Sequence, residues 1–177
     1  AFLIGMATFH IFLGAGFYWN ELLLIHLGSF AVLTGAAYTL KFPLTALRSR
    51  LVRKVLFYVA LTIAWLIIAW LFVFPHQSEL MLKFVLGYMI IVSGGITGFY
   101  MVWKGFQLKE TGLKLKCAGG GAAIITCCFV ADLMVLLIGL SVLGEIFMTL
   151  APIILIFAIY FGRYLQKRAL NQQTAAI

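Results

Sequence analysis

The 46 residues from Cys117 to Gly162 contain no lysine or arginine, and this apolar run limits the fold more than any other feature. A helix that crosses the hydrocarbon core of a bilayer needs about 20 apolar residues. The run is therefore too long for a single crossing, and Gly139, Ser141 and Gly144 provide a turn inside it. We predict two successive transmembrane helices in this part of the chain.

Apolar segments of similar length occur along the whole chain. Hydrophobic residues make up 64% of the 177 residues and charged residues 10%. A soluble domain has about 45–50% apolar residues and about 25% charged residues. Six segments are long enough to cross a membrane: 1–19, 22–40, 55–74, 80–103, 118–139 and 142–162. None shows the alternation of a membrane β-strand. We therefore predict an all-α, polytopic integral membrane protein in which residues 1–162 form a six-transmembrane-helix bundle.

The basic residues predict the orientation of this bundle. Twelve of the thirteen fall in the segments 41–54, 104–116 and 163–177, which lie on one side of a six-helix arrangement, and Lys83 is the exception. Short loops rich in lysine and arginine remain in the cytoplasm. Both termini are therefore predicted to be cytoplasmic. Residues 163–177 form a basic cytoplasmic tail, and its good helix formers predict that the last membrane helix continues into it.

The net charge of +8 is explained by this loop pattern rather than by a nucleic-acid site. We predict no nucleic-acid partner. The predicted partners are the lipid bilayer and either further copies of the chain or a larger membrane complex. The predicted location is the cytoplasmic membrane of a bacterium or archaeon.

Small residues indicate where helices approach each other closely. Gly94 and Gly98 form a G-x-x-x-G pair, and Ala31 and Gly35 form a related pair. Lipid provides little hydrophobic force between helices, so small residues allow the direct backbone packing that holds them together. The segments LGSFAVLTGAA, from residue 27, and LGYMIIVSGGI, from residue 86, also align. They predict a tandem repeat of helical hairpins, although any two apolar hairpins share some similarity of composition.

Asp132 is the only acidic residue far from a predicted loop. It lies about 12 Å below the outer end of its predicted span, at about 1.5 Å per helical residue, and His10 lies at a similar depth in the first span. An ionised carboxylate at the bilayer centre costs about 2.5–3.5 kcal/mol. Two interpretations therefore stay open. Asp132 and His10 form a proton, ion or ligand site, or a protonated Asp132 fixes helix packing through a hydrogen bond.

The other polar residues predict no catalytic residue and no metal ligand. The chain lacks the H-E-x-x-H and G-x-S-x-G motifs. The cysteines have neither metal-type nor disulfide-type spacing and are predicted to pack as small apolar side chains. The histidines lie at different depths, so a bis-histidine haem b is an awkward fit; we predict no cofactor, with haem b as the alternative. The cysteines are Cys117, Cys127 and Cys128, and the histidines are His10, His26 and His76.

Three functions fit these predictions, and we favour the first. It is a sensory input module that recognises a small apolar or membrane-derived ligand and signals through the C-terminal helix. Its organisation resembles in outline the multi-span input domains of membrane histidine kinases and nucleotide cyclases, in span count, short outer turns, basic inner loops and helical exit. The second is a structural or redox subunit of a respiratory or photosynthetic complex. The third is a small ion- or proton-coupled transporter.

Overall fold

The computed structural model describes residues 8, 11–12, 15, 19, 22–74 and 78–174. These residues are almost entirely helical, and no strand occurs among them, which confirms the all-α prediction. The α-helices are α1 (Leu22–Thr39), α2 (Lys41–Leu44), α3 (Arg50–Val73), α4 (Ser78–Met89), α5 (Phe99–Gln107), α6 (Thr111–Ile124) and α7 (Ser141–Thr174). Three π-helical segments adjoin them: Ile90–Gly98, Ile125–Ala131 and Met134–Ile138.

Five helices in the described part of the chain are long and apolar enough to cross a membrane. They are Leu23–Leu44, Arg50–Trp70, Lys83–Gln107, Thr111–Leu137 and Val142–Gln172. They coincide with the last five of the six predicted spans. The first predicted span, 1–19, falls almost wholly outside the described residues, so the count of six stays a prediction.

The chain divides into two compact units, residues 1–93 and 94–177, and the boundary falls inside the first π-helical segment. In the first unit, α1 packs against α3, and α4 packs against both. The buried side chains at this junction are apolar, with Leu33, Val85 and Met89 among the largest. Burial of such side chains against neighbouring helices gives the unit its core.

A buried tyrosine ties α4 to α3 in the first unit. The Tyr88 hydroxyl donates a hydrogen bond of 2.8 Å to the carbonyl oxygen of Ala60. We expect Tyr88→Phe to lower the free energy of unfolding by about 0.5–1.5 kcal/mol, the usual net value of one such bond. Unfolding of the detergent-solubilised chain measures the change. The exposed Tyr160 provides the control, because Tyr160→Phe removes a hydroxyl without a buried partner and should leave stability unchanged; equal losses in the two variants would contradict the prediction.

In the second unit, α6 lies between α5 and α7. Its contacts with the chain on the α5 side are made through glycines. A β-carbon added at Gly121 would lie 2.7 Å from the carbonyl oxygen of Gly98, and one added at Gly105 would lie 2.7 Å from the backbone nitrogen of Ala118. Gly94 in the same way faces the backbone of Phe129. The helix backbones therefore touch directly along this interface, which side chains larger than hydrogen would prevent.

The turn between the last two membrane helices consists of two residues. Gly139 has a φ of 68°, a left-handed conformation that costs residues with a β-carbon about 1 kcal/mol or more. The N–H of Leu140 donates to the carbonyl of Met134 at 3.1 Å, which closes the end of the preceding helix. From Ser141, α7 then runs for 34 residues to Thr174, with Pro152 inside it. The helix therefore includes both an apolar part and the basic segment after Gly162.

Candidate functional site

Asp132 lies between two π-helical segments of the second unit, Ile125–Ala131 and Met134–Ile138. Its side chain has no exposed surface, so it faces protein and not lipid. It is the only buried carboxylate among the side chains that the structure describes. Because π-helical turns often occur at functional sites, the position of this acid between two of them makes it the principal candidate for a site.

Neither carboxyl oxygen of Asp132 has a hydrogen-bond partner among the described residues. His10, its predicted partner, lies outside those residues, so the pairing stays a prediction. A buried polar group without a partner costs about 1–3 kcal/mol, and an ionised one costs more. With no partner among the described residues, the buried Asp132 lowers the free energy of unfolding of the second unit. Such a cost is expected at a position that binds a ligand, an ion or a proton.

The π-helical backbone also places cysteines near this acid. Hydrogen bonds in a π-helix join residues five apart, so Cys127 lies about one turn from Asp132. Both Cys127 and the fully buried Cys128 are within electrostatic range of the carboxyl group. The nearby hydroxyl of Thr126 is directed elsewhere, since it donates to the carbonyl of Ala122 at 2.8 Å. The surroundings of Asp132 thus offer weak thiol donors.

Sequence reasoning missed the association of the cysteines with Asp132. In an α-helix with about 3.6 residues per turn, residues five apart point about 140° away from each other. An α-helix would therefore place Cys127 on a different face from Asp132. The run TCCFVA carries no glycine or proline that would indicate a change of helical type. The proximity of Cys127 depends on the wider turn, whereas the four-residue spacing of Cys128 and Asp132 could have indicated a shared helix face.

The predicted packing residues are distributed over both units. Gly94 and Gly98 are buried in the second unit, where Gly98 lies against Ile125. On α1 in the first unit, Gly35 is buried and Ala31 is half-buried. Since α1 packs against α3, these small residues lie on a helix with a close neighbour, as small-residue pairs in membranes commonly do.

The remaining polar residues form no second acidic or metal-type cluster in the described part of the chain. His26 is buried on α1, and its ring stacks on Phe72 with centroids 4.6 Å apart. His76 lies outside the described residues, as His10 does. No group of three or more His, Cys, Asp or Glu side chains occurs where the structure describes them. The haem b alternative therefore stays a prediction.

Chemically, Asp132 supplies a carboxyl group whose two oxygens have no hydrogen-bond partner among the described residues. When protonated it donates one hydrogen bond and accepts others, and when ionised it only accepts. It could therefore bind a polar group on an otherwise apolar ligand, hold a cation or carry a proton. Comparison with known proteins does not narrow this choice, since no family model, no curated protein and no solved structure matches the chain.

Proposed function

We propose that the chain is a membrane-embedded sensory input module with six transmembrane helices and both termini in the cytoplasm. A small apolar or membrane-derived ligand binds next to Asp132, and α7 transmits its presence to the cytoplasmic side. The module works in the bilayer of a bacterial or archaeal cytoplasmic membrane, as a homo-oligomer or within a larger membrane complex. Twelve of the thirteen basic residues lie in two predicted loops and the C-terminal tail, all on one side of the predicted bundle, and this distribution supports the orientation.

The observation that carries this proposal is the close packing of α7 against α6 and the π-helical segments that follow α6, between which Asp132 lies. A β-carbon at Gly144 of α7 would lie 3.1 Å from the carbonyl oxygen of Ala131, directly before Asp132. Farther along the pair, Gly119 lies against Ala158, and Gly112 lies against Gly162. Backbone contact therefore follows the two helices along most of their shared length.

Such an interface can transmit a local change over a long distance. Closely packed helices have few flexible side chains between them to absorb a displacement, and packed interfaces move between discrete arrangements. A ligand that forms hydrogen bonds with Asp132 would favour one arrangement of the backbone beside it. Because α7 continues as one helix through Pro152 to Thr174, that preference would reach the basic C-terminal segment.

The proposal is tested with the full chain in lipid nanodiscs, with farnesol, palmitic acid and a short-chain quinone as probes. We expect at least one probe to raise the unfolding temperature by several degrees and to change amide hydrogen exchange in residues 163–174. Both effects should be lost in Asp132→Val, because the valine side chain has no atom that donates or accepts a hydrogen bond. They should persist in Glu145→Gln, which alters an exposed carboxylate on α7.

Two results would contradict the signalling role, one from this experiment and one from a separate flux measurement. Probe binding that depends on Asp132 but leaves hydrogen exchange in 163–174 unchanged would separate the site from α7. Proton flux in proteoliposomes that disappears in Asp132→Asn would favour the second candidate, a small proton-coupled transporter. The buried carboxyl group beside π-helical turns, which has no hydrogen-bond partner in the described part of the chain, is the observation that favours this second function.

A further inference from the structure

A cationic pocket lies in the first unit, where the chain passes from α2 into α3. Its volume is about 340 Å3. Four basic and two aromatic side chains contribute to its lining: Lys41, Arg50, Arg53, Lys54, Phe57 and Tyr58. The pocket lies at the start of α3, on the side of the predicted bundle that faces the cytoplasm.

The positive charge of this pocket has no acidic counterpart nearby in the chain. No aspartate or glutamate occurs between Glu21 and Glu79. The Nε atom of Arg53 is buried and has no hydrogen-bond partner among the described residues. Desolvating a guanidinium nitrogen without an acceptor is unfavourable. A phosphate or carboxylate oxygen at this place would accept a hydrogen bond from Arg53.

Aromatic rings hold one of the basic side chains in position. The Lys41 ammonium group lies 4.3 Å from the ring centre of Tyr38 and 4.9 Å from that of Phe57. Cation–π contacts of this length contribute about 0.5–1 kcal/mol at exposed sites. Lys41 is thus directed toward the wall of the pocket instead of extending freely into water, which reduces the entropy lost when it meets an anion.

An apolar groove continues from this pocket along α3. The groove has a volume of about 400 Å3 and shares Lys54 and Tyr58 with the pocket. Its other lining residues are Val55, Val59, Thr62 and Ile63. These residues follow the spacing of one face of a helix, and from Lys54 to Ile63 they extend over about 13 Å at 1.5 Å per residue. A charged recess thus leads directly into a surface suited to a hydrocarbon chain.

We propose that the pocket and groove together bind one anionic phospholipid, with its phosphate among the basic residues and an acyl chain along the groove. Arginine guanidinium groups bind phosphate oxygens in pairs. Basic pockets at the cytoplasmic ends of membrane helices are suited to anionic lipid headgroups, and tyrosines such as Tyr58 are common at the membrane–water boundary. A soluble anion would use only the pocket, whereas the continuous groove favours a lipid. This proposal does not depend on Asp132.

Binding to the full detergent-solubilised chain tests the proposal, with phosphatidylglycerol, phosphatidylcholine and inorganic phosphate as probes. Native mass spectrometry measures the dissociation constants. We expect phosphatidylglycerol to bind at least tenfold more tightly than phosphatidylcholine. The double variant Arg53→Gln, Lys54→Gln should remove this preference. The control Lys109→Gln, Lys167→Gln removes the same charge from exposed residues of the second unit and should change the affinity less than twofold.

A third variant tests the groove without altering charge. Val59 is half exposed on the surface of α3, so Val59→Trp fills the groove without entering the core, and we expect it to weaken phosphatidylglycerol binding about tenfold. Unchanged binding in this variant, or displacement of the lipid by equimolar inorganic phosphate, would overturn the lipid assignment. The lipid assignment would also be overturned if the pocket double variant and the control double variant lost the same affinity for phosphatidylglycerol, because binding would then respond to total charge and not to the pocket.

Discussion

Replacing Asp132 by valine is expected to raise the free energy of unfolding by about 1–3 kcal/mol, the cost of a buried polar group without a partner. The carboxyl group is fully buried, and neither oxygen forms a hydrogen bond with the described residues. Valine removes both polar atoms and leaves a side chain of similar volume. Exchanges of buried ionisable groups for apolar ones are often neutral or stabilising for the same reason.

Chemical or thermal unfolding of the full chain in nanodiscs measures this effect. Asp132→Asn should give no comparable gain, because the amide is also polar and would lack partners in the same place. Glu145→Val provides the matched control: its carboxylate is exposed, and surface substitutions usually change stability by less than about 0.5 kcal/mol. If Asp132→Val instead lost more than about 1 kcal/mol, Asp132 would have a structural partner, and its role would be to fix helix packing.

Adding one methyl group at Gly121 is expected to lower the free energy of unfolding by about 2–3 kcal/mol, near the upper part of the usual range for overpacking. The β-carbon of Gly121→Ala would lie 2.7 Å from the Gly98 carbonyl oxygen and 2.8 Å from the Val102 nitrogen. Both atoms belong to the backbone, so no side-chain rotation relieves the clash. The two helices must move apart, and the contacts on either side of Gly121 weaken with them.

Gly87 provides the control for this prediction within the same chain. It is also helical, but a β-carbon added there meets no atom within 4 Å. Alanine is favoured over glycine in helices by about 1 kcal/mol, so Gly87→Ala should leave stability unchanged or raise it slightly. Unfolding of the two variants side by side separates close packing from helix propensity. Similar changes in both would contradict the direct backbone contact at Gly121.

Hydropathy predicted the five long apolar helices of the described residues well, because it reflects the transfer of side chains into lipid, but it predicted their ends less well. The third span was predicted over 55–74, whereas α3 is Arg50–Val73. The five additional residues at its start include polar ones, and the helix begins there because the Ser49 hydroxyl accepts a hydrogen bond from the Val52 N–H at 3.4 Å. A helix can thus continue beyond the hydrocarbon layer.

The candidate site was predictable only in part. Asp132 stands out in the sequence because charge is rare in apolar runs. Its cysteine neighbours stand out less: Cys128, four residues before Asp132, shares a face with it in an ordinary α-helix, whereas Cys127 comes near only through the π-helical turn. The cationic pocket was visible only as a basic loop, since its shape depends on how α2 and α3 meet and on the cation–π contacts of Lys41. Residue type predicted the chemistry of the Asp132 site and of the cationic pocket. The backbone geometry determined which side chains come together in each.

The short connection at Gly139 and Leu140 determines how α7 can move. Two residues extend at most about 7 Å, so this end of α7 stays beside the preceding helix and cannot slide far along it. The motion open to α7 is a tilt about this end. Leu170 lies about 45 Å from Leu140 along an α-helix, so a tilt of about 5° moves it by about 4 Å. If α7 transmits a signal as proposed, a small rotation at the glycine turn would therefore produce a larger displacement at the C-terminal end of the helix.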